Sequence, residues 1–164
     1  MTYFLGIDPG ITGAICFLDS EGALVWAYRT PVISGKKKEY DIHAMRDLIQ
    51  QAKAGSEEQI LCGIEKVGTL PSDGRVGAFR FGVGYGLWLG LLSGLSIPFH
   101  EIPPQRWQAK LLAGLPRGPK IKQSCVKAAK ARHPEIPIHA KADWGMADAA
   151  LIAAFTRRVH QAKD

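Results

Sequence analysis

The chain predicts an α/β fold, a mixed five-stranded sheet flanked by helices, with residues 1–164 forming one domain. Three observations carry this. The first 28 residues hold three short apolar runs separated by tight turns. Two further apolar runs each follow a segment of helical periodicity, and everything after them is helix-patterned. A length of 164 residues, 46% of them hydrophobic and 22% charged, suits one core and excludes a disordered tail or a fibrous repeat.

Taken in order, Tyr3–Asp8 is rich in strand formers and stops at Pro9-Gly10. Ile11–Leu18 and Ala23–Tyr28 flank the turn Asp19-Ser20-Glu21-Gly22, so the three strands form an antiparallel meander. Ser34–Glu39 is a basic loop. From Asp41, an N-cap, the spacing of Ile42, Met45, Leu48 and Ile49 predicts a helix that Gly55-Ser56 ends. Gln59–Val67 is a fourth strand and Gly68–Arg75 a loop. A long helix runs to about Leu95, followed by a fifth strand at Ile97–Ile102. Helices over Gln105–Ala113, Lys120–Arg132 and Trp144–His160 complete the chain.

Lys and Arg number 21 against 15 Asp and Glu, a net charge of +6 that favours a polyanionic partner, nucleic acid before membrane. The N-terminus shows no signal peptide. The 19 residues between Arg80 and His100 lack charge, but five glycines, two serines and Pro98 favour a buried helix and strand over a membrane span. Cys16, Cys62 and Cys125 are scattered and lack CxxC spacing, which suits reduced core thiols in a cytosolic compartment.

Three acids break the apolar pattern. Strand alternation puts Phe4, Gly6 and Asp8 on one face, so Asp8 ends an apolar run at a turn whose Gly10 and Gly13 admit close backbone approach to a ligand. Glu65 ends the run Ile60–Ile64, and Lys66 points to the opposite face. A carboxylate at the edge of a core strand calls for a metal or a cationic partner. Asp148 shares a helical stripe with Trp144, Leu151, Ile152 and Phe155, and so points with the apolar face toward the sheet. Asp143 is either a helix N-cap or a fourth acid. Carboxylates without a cysteine or histidine cluster suit Mg²⁺ or Mn²⁺.

Basic residues supply a second pattern. From Glu101 to Glu135 no acid intervenes, while Arg106, Lys110, Arg117, Lys120, Lys122, Lys127, Lys130 and Arg132 all occur. Such a run suits phosphate contact. Trp107 is read as core rather than as a base-stacking platform. Gly82, Gly86, Gly90 and Gly94 recur every four residues, a smooth helical groove assigned to internal packing in preference to a dimer seam. The five histidines show no ligand spacing, and His139 is read as a loop residue.

Gly6-Ile7-Asp8-Pro9-Gly10, Ile64-Glu65-Lys66-Val67, the glycine-rich helix over Phe79–Gly90, Ile102-Pro103-Pro104-Gln105-Arg106-Trp107 and Ala147-Asp148-Ala149-Ala150-Leu151-Ile152-Ala153 together resemble the RuvC-type Holliday junction resolvases, in particular their phage-like branch. The motifs keep the family's order across nearly the whole chain. The resemblance implies a ribonuclease H-like fold, a homodimer and paired Mg²⁺-dependent nicks in a four-way DNA junction. It places Asp8, Glu65 and Asp148 on three of the family's catalytic acids and makes Lys122 its basic residue at the start of the penultimate helix. Two departures stand out. The fourth acid usually lies three or four residues before the last, where this chain has Gly145 and Trp144, with Asp143 one step further. After the tryptophan, Gln108 replaces a frequent lysine, leaving Arg106 or Lys110 to supply charge.

The expectation is therefore a metal-dependent endonuclease for branched DNA. Two Mg²⁺ (or Mn²⁺) ions would be held by Asp8, Glu65, Asp148 and Asp143. Lys36, Lys37, Lys38, Arg106, Lys110, Lys120, Lys122, Lys127 and Lys130 would lie on DNA phosphates. A soluble cytoplasmic protein is expected, nucleoid-associated or phage-encoded in a bacterial host. Two rivals are a non-catalytic branched-DNA binder and an actin-like or sugar-kinase-type ATP-binding domain. The second needs two such domains around a cleft.

Overall fold

The computed structural model describes residues 1–55, 59–66, 68 and 74–162. Its main sheet has five strands, β1 (Thr2–Asp8), β2 (Ala14–Leu18), β3 (Leu24–Arg29), β6 (Gln59–Glu65) and β7 (Phe99–Ile102). Their order is β3-β2-β1-β6-β7. The first three form the expected antiparallel meander, while β6 runs parallel to β1 and β7 parallel to β6. A second, two-stranded ribbon of β4 (Val32–Ile33) and β5 (Glu39–Tyr40) carries the triple lysine at its tip, where the sequence predicted only a loop. Its strands are two residues each, too short for periodicity to reveal.

Helices cover both sheet faces. On one lie α1 (Ile42–Ala54) and α2 (Arg75–Gly94), closing a core of Leu5, Ile7, Ile15, Phe17, Trp88 and Leu92. On the other lie α3 (Pro104–Leu111), α4 (Ile121–Arg132) and α5 (Trp144–Gln161), packed over Phe4, Cys16, Leu18 and Leu61. The Asp41 side chain caps α1 by accepting the Ala44 N–H at 3.0 Å, as its position before Ile42 predicts. Arg75, expected in a loop, opens α2. Most of the predicted Gly68–Arg75 loop and Val67 fall outside the described residues.

The central helix is α5, and two glycines set its depth. Gly6 and Gly63 are register partners on β1 and β6. A Cβ on Gly6 would lie 2.9 Å from Ala153 Cβ, and one on Gly63 3.1 Å from Ile152 Cγ2. Their bare backbones let α5 sit directly on the strands, burying Ala147, Ala149, Ala150 and Ala153 in between. At its start, a Cβ on Gly145 would lie 2.6 Å from Thr12 O, so the first turn of α5 rests on the Asp8–Gly13 turn. That close seat brings Asp148 to the end of β1.

The glycine groove of α2 departs from expectation. Among the described residues nothing lies within 4 Å of a Cβ on Gly82, Gly86, Gly90 or Gly94, and all four are exposed. Internal packing falls to Gly84, whose missing Cβ makes room for the Tyr40 ring, and to Trp88 and Leu92. No helix among the described residues is long and apolar enough to cross a membrane. All three cysteines are free and buried.

Candidate active site

Asp8 and Glu65 end adjacent parallel strands. The register Ile7↔Ile64 makes them neighbours on the face covered by α5. The turn after Asp8 is tied down: Gly13 N–H donates to Gly10 O at 2.8 Å, and the Thr30 hydroxyl donates to the same carbonyl at 3.0 Å. Glu65 is 9% exposed and accepts the indole N–H of fully buried Trp107 at 2.9 Å. Trp107 thus fills the core, as read, and also aims a carboxylate. Asp148, 2% exposed, reaches in from α5 and accepts Lys122 of α4 on Oδ2. Its Oδ1 is buried without a hydrogen-bond partner among the described residues, and the Cys125 thiol of α4 stands beside the same carboxylate.

The electrostatics of this cluster are unresolved by protein groups alone. Burial and then the Asp148 charge raise the Asp8 carboxyl to about 6, against the opposing pull of Lys122 and the Gly10 N–H. Burial and then Asp8 raise Glu65 to about 7, and Trp107 moderates the rise. For Lys122, burial disfavours the charge, but Asp148 and Asp8 outweigh it and hold the ammonium firmly protonated. Three carboxylates therefore share one lysine. No three His, Cys, Asp or Glu side chains among the described residues stand in a metal-ligating array. The cluster nonetheless fits a hard divalent cation: the donors are all carboxylate oxygens, one is orphaned, and two acids are held near neutrality for want of positive charge.

The other predicted residues lie apart from this cluster. Asp143 is buried, but both its oxygens are engaged. Oδ1 accepts Arg29 Nε at 2.7 Å, and Oδ2 accepts the backbone N–H of His139 and Ala140 at 2.9 and 2.8 Å. Those bonds hold its carboxyl below the usual range despite burial. Arg106 and Lys110 line a cleft between α3 and the end of α5, with Phe155 and Arg158. Lys120, Lys127 and Lys130 are exposed on or beside α4, whose Cys125 and Ala128 are buried as the pattern predicts. Lys37 and Lys38 border a cavity of about 300 Å³ with Tyr40, Phe79 and Arg80, and Lys36 lies beside it at the ribbon tip. Lys66, on the face opposite Glu65, lies 3.8 Å from Glu101.

Two functional features escaped the sequence. The Trp107–Glu65 bond spans 42 residues and no local pattern encodes it. Arg29, one residue beyond the predicted third strand, ends β3 in the register of Asp8, through Asp8↔Ala14 and Ala14↔Arg29. A charge closing an apolar strand, the signal that exposed Asp8 and Glu65, applies to it equally.

A mixed five-stranded sheet with acids at two strand ends and on the covering helix is the architecture of the ribonuclease H-like fold, and solved structures agree. The chain resembles Thermus thermophilus RuvC in complex with a Holliday junction substrate, with a TM-score of 0.68, 16% identity, and coverage of 98% of this chain and 95% of that one. A second Thermus thermophilus RuvC structure matches at a TM-score of 0.58 and 20% identity over 96% of each chain. In sequence, 88 residues, or 52% of the chain, are 40% identical to the chloroplastic Holliday junction resolvase MOC1 of Chlamydomonas reinhardtii. The chain spans 10% of that protein's length. No family model matches.

Proposed function

We propose that the protein is a divalent-metal-dependent endonuclease that resolves four-way DNA junctions. The observation that carries this reading is the meeting of Asp8, Glu65 and Asp148 around a single lysine, with one buried carboxylate oxygen unpartnered. The fold shared with RuvC and the segment shared with MOC1 support the substrate class.

Asp8, Glu65 and Asp148 would hold Mg²⁺ or Mn²⁺, two ions per site in this reading, and Asp143 would join them only by releasing Arg29. Bound cations supply a lowered water pKa and neutralise charge on the leaving oxygen of an in-line displacement. The protein's part is orientation. Trp107 fixes the Glu65 carboxylate, the Gly10–Gly13 turn fixes Asp8, and the seat of α5 on Gly6 fixes Asp148. Lys122, which pairs with Asp148, would be placed to contact a phosphate oxygen if that carboxylate held a cation instead. The lysines of the β4–β5 ribbon and of α4 would hold the junction arms by their phosphates, reading shape more than sequence.

A homodimer belongs to the same reading. The exposed face of α2 carries the four open glycines with Val76, Phe79 and Val83, which are 71%, 73% and 40% exposed. Beyond Arg75 in its first turn, this small and apolar helix face suits a two-fold seam. The test is cleavage of a labelled synthetic junction with Mg²⁺ or EDTA. Paired, religatable nicks dependent on metal support the assignment. Tight binding without cutting under any metal makes the protein a binding module instead.

A further inference from the structure

The Arg29–Asp143 pair has no place in the metal chemistry, yet the fold invests in it. Surface arginines ordinarily pair with exposed acids at little gain. Here the acid is 5% exposed and its other oxygen is satisfied by two backbone N–H groups of the turn before α5. The Arg29 side chain is 56% exposed. Only its Nε and Nη2 engage Asp143, and its remaining donors have no partner among the described residues. Arg29 is thus a guanidinium fixed at its root with a free outer edge, the geometry that suits a phosphate.

Its place is equally specific. Asp8, Ala14 and Arg29 form one row across three strands, all on the α5 face. Ala14 between them is fully buried beneath the head of α5, so Asp8 and Arg29 emerge on either side of that helix start. Two strand spacings put Arg29 roughly 10 Å from Asp8. Successive phosphates of one strand lie roughly 6–7 Å apart, since the backbone winds around an axis that rises about 3.4 Å per nucleotide, so that is one to two nucleotides along a strand.

We infer that Arg29, anchored by Asp143, binds a backbone phosphate of the DNA strand one to two nucleotides from the bond cut at Asp8, and that Asp143 is a positioning residue for it rather than a metal ligand. The inference rests on the junction-nuclease reading. Charge favours it over a protein partner, because the free edge is cationic and no acid other than Asp143 pairs with it among the described residues.

The experiment measures junction affinity against salt, and separately the Mn²⁺ midpoint for cleavage, for wild type, Arg29→Ala, Arg29→Lys, Asp143→Asn and the double variant. Removing one phosphate contact should weaken junction binding about tenfold and flatten the salt slope by about 1. Arg29→Lys should restore the slope but only part of the affinity, because it keeps the charge and loses the fork. Asp143→Asn should reproduce the loss without adding to it in the double variant, as expected of coupled residues. The Mn²⁺ midpoint should stay put throughout. A purely structural tie would lower the melting temperature and leave the salt slope of Arg29→Ala unchanged, which overturns the inference. A raised Mn²⁺ midpoint in Asp143→Asn alone also overturns it and makes Asp143 a ligand. Arg29 is exposed, so Arg29→Ala decides the matter even if Asp143→Asn folds poorly. A wild type that binds no branched DNA defeats the nuclease reading itself, an outcome distinct from variants that match an active wild type.

Discussion

Asp143 and Asp148 stand five residues apart at the start of one helix, both buried, and meet opposite fates. Asp143 has a partner for each oxygen, and its carboxyl sits below the ordinary range. Asp148 has one lysine and a neutral thiol, Cys125, one oxygen with no partner among the described residues, and two further acids beside it that are pushed up to about 6 and 7. A fold that can satisfy a buried carboxylate this well at one position has not done so at the other. In the proposed reading the unsatisfied position is where a ligand from outside the chain would complete the structure, and burial alone does not distinguish the two.

The comparison can be broken most severely at the cluster. Asp8→Asn or Asp148→Asn should lower junction cleavage by about 10³-fold or more, with binding retained, since each removes a charged ligand from the cation. Gel-shift and cleavage assays on the same preparation check this. Next in size is the seat of α5. Gly6→Val should cost about 3 kcal/mol or more, because the new side chain meets Ala153 and the backbone at Ala149, and urea unfolding would measure it.

A subtler test uses pH. Asp8 and Glu65 are raised above their unfolded values, so the metal-free fold holds more protons than the unfolded chain between about pH 4 and 7. Their effect is to make stability fall as pH rises through that window. Glu65→Gln should flatten the fall, and added Mg²⁺ should stabilise more at pH 8 than at pH 5. The smallest effect is expected at Trp107. Trp107→Phe removes the indole donor, so the Glu65 carboxyl should rise further and the acid limb of the pH–rate profile move up by less than one unit.

Much of this was legible in the chain. The five sheet strands followed from apolar runs and turns, and Asp8, Glu65 and Asp148 from acids standing where hydrophobic residues belonged. What stayed hidden was of two kinds. The β4–β5 ribbon is too short to leave a periodic trace, and side-chain partnerships such as Trp107–Glu65 and Arg29–Asp143 join residues 42 and 114 positions apart. The glycines of α2 misled for a different reason. A four-residue repeat marks one helix face but does not say what covers it, and Gly84, outside the repeat, is the one that packs inside.

The most direct measurement is Mn²⁺ binding to the protein without DNA near neutral pH, followed by electron paramagnetic resonance, for wild type, Asp148→Asn and Asp143→Asn. Saturable binding by wild type and by Asp143→Asn, lost in Asp148→Asn, is the predicted result. Binding unaffected by Asp148→Asn, or absent from all three proteins, would contradict the claim that the unsatisfied carboxylates at the head of α5 form a metal site.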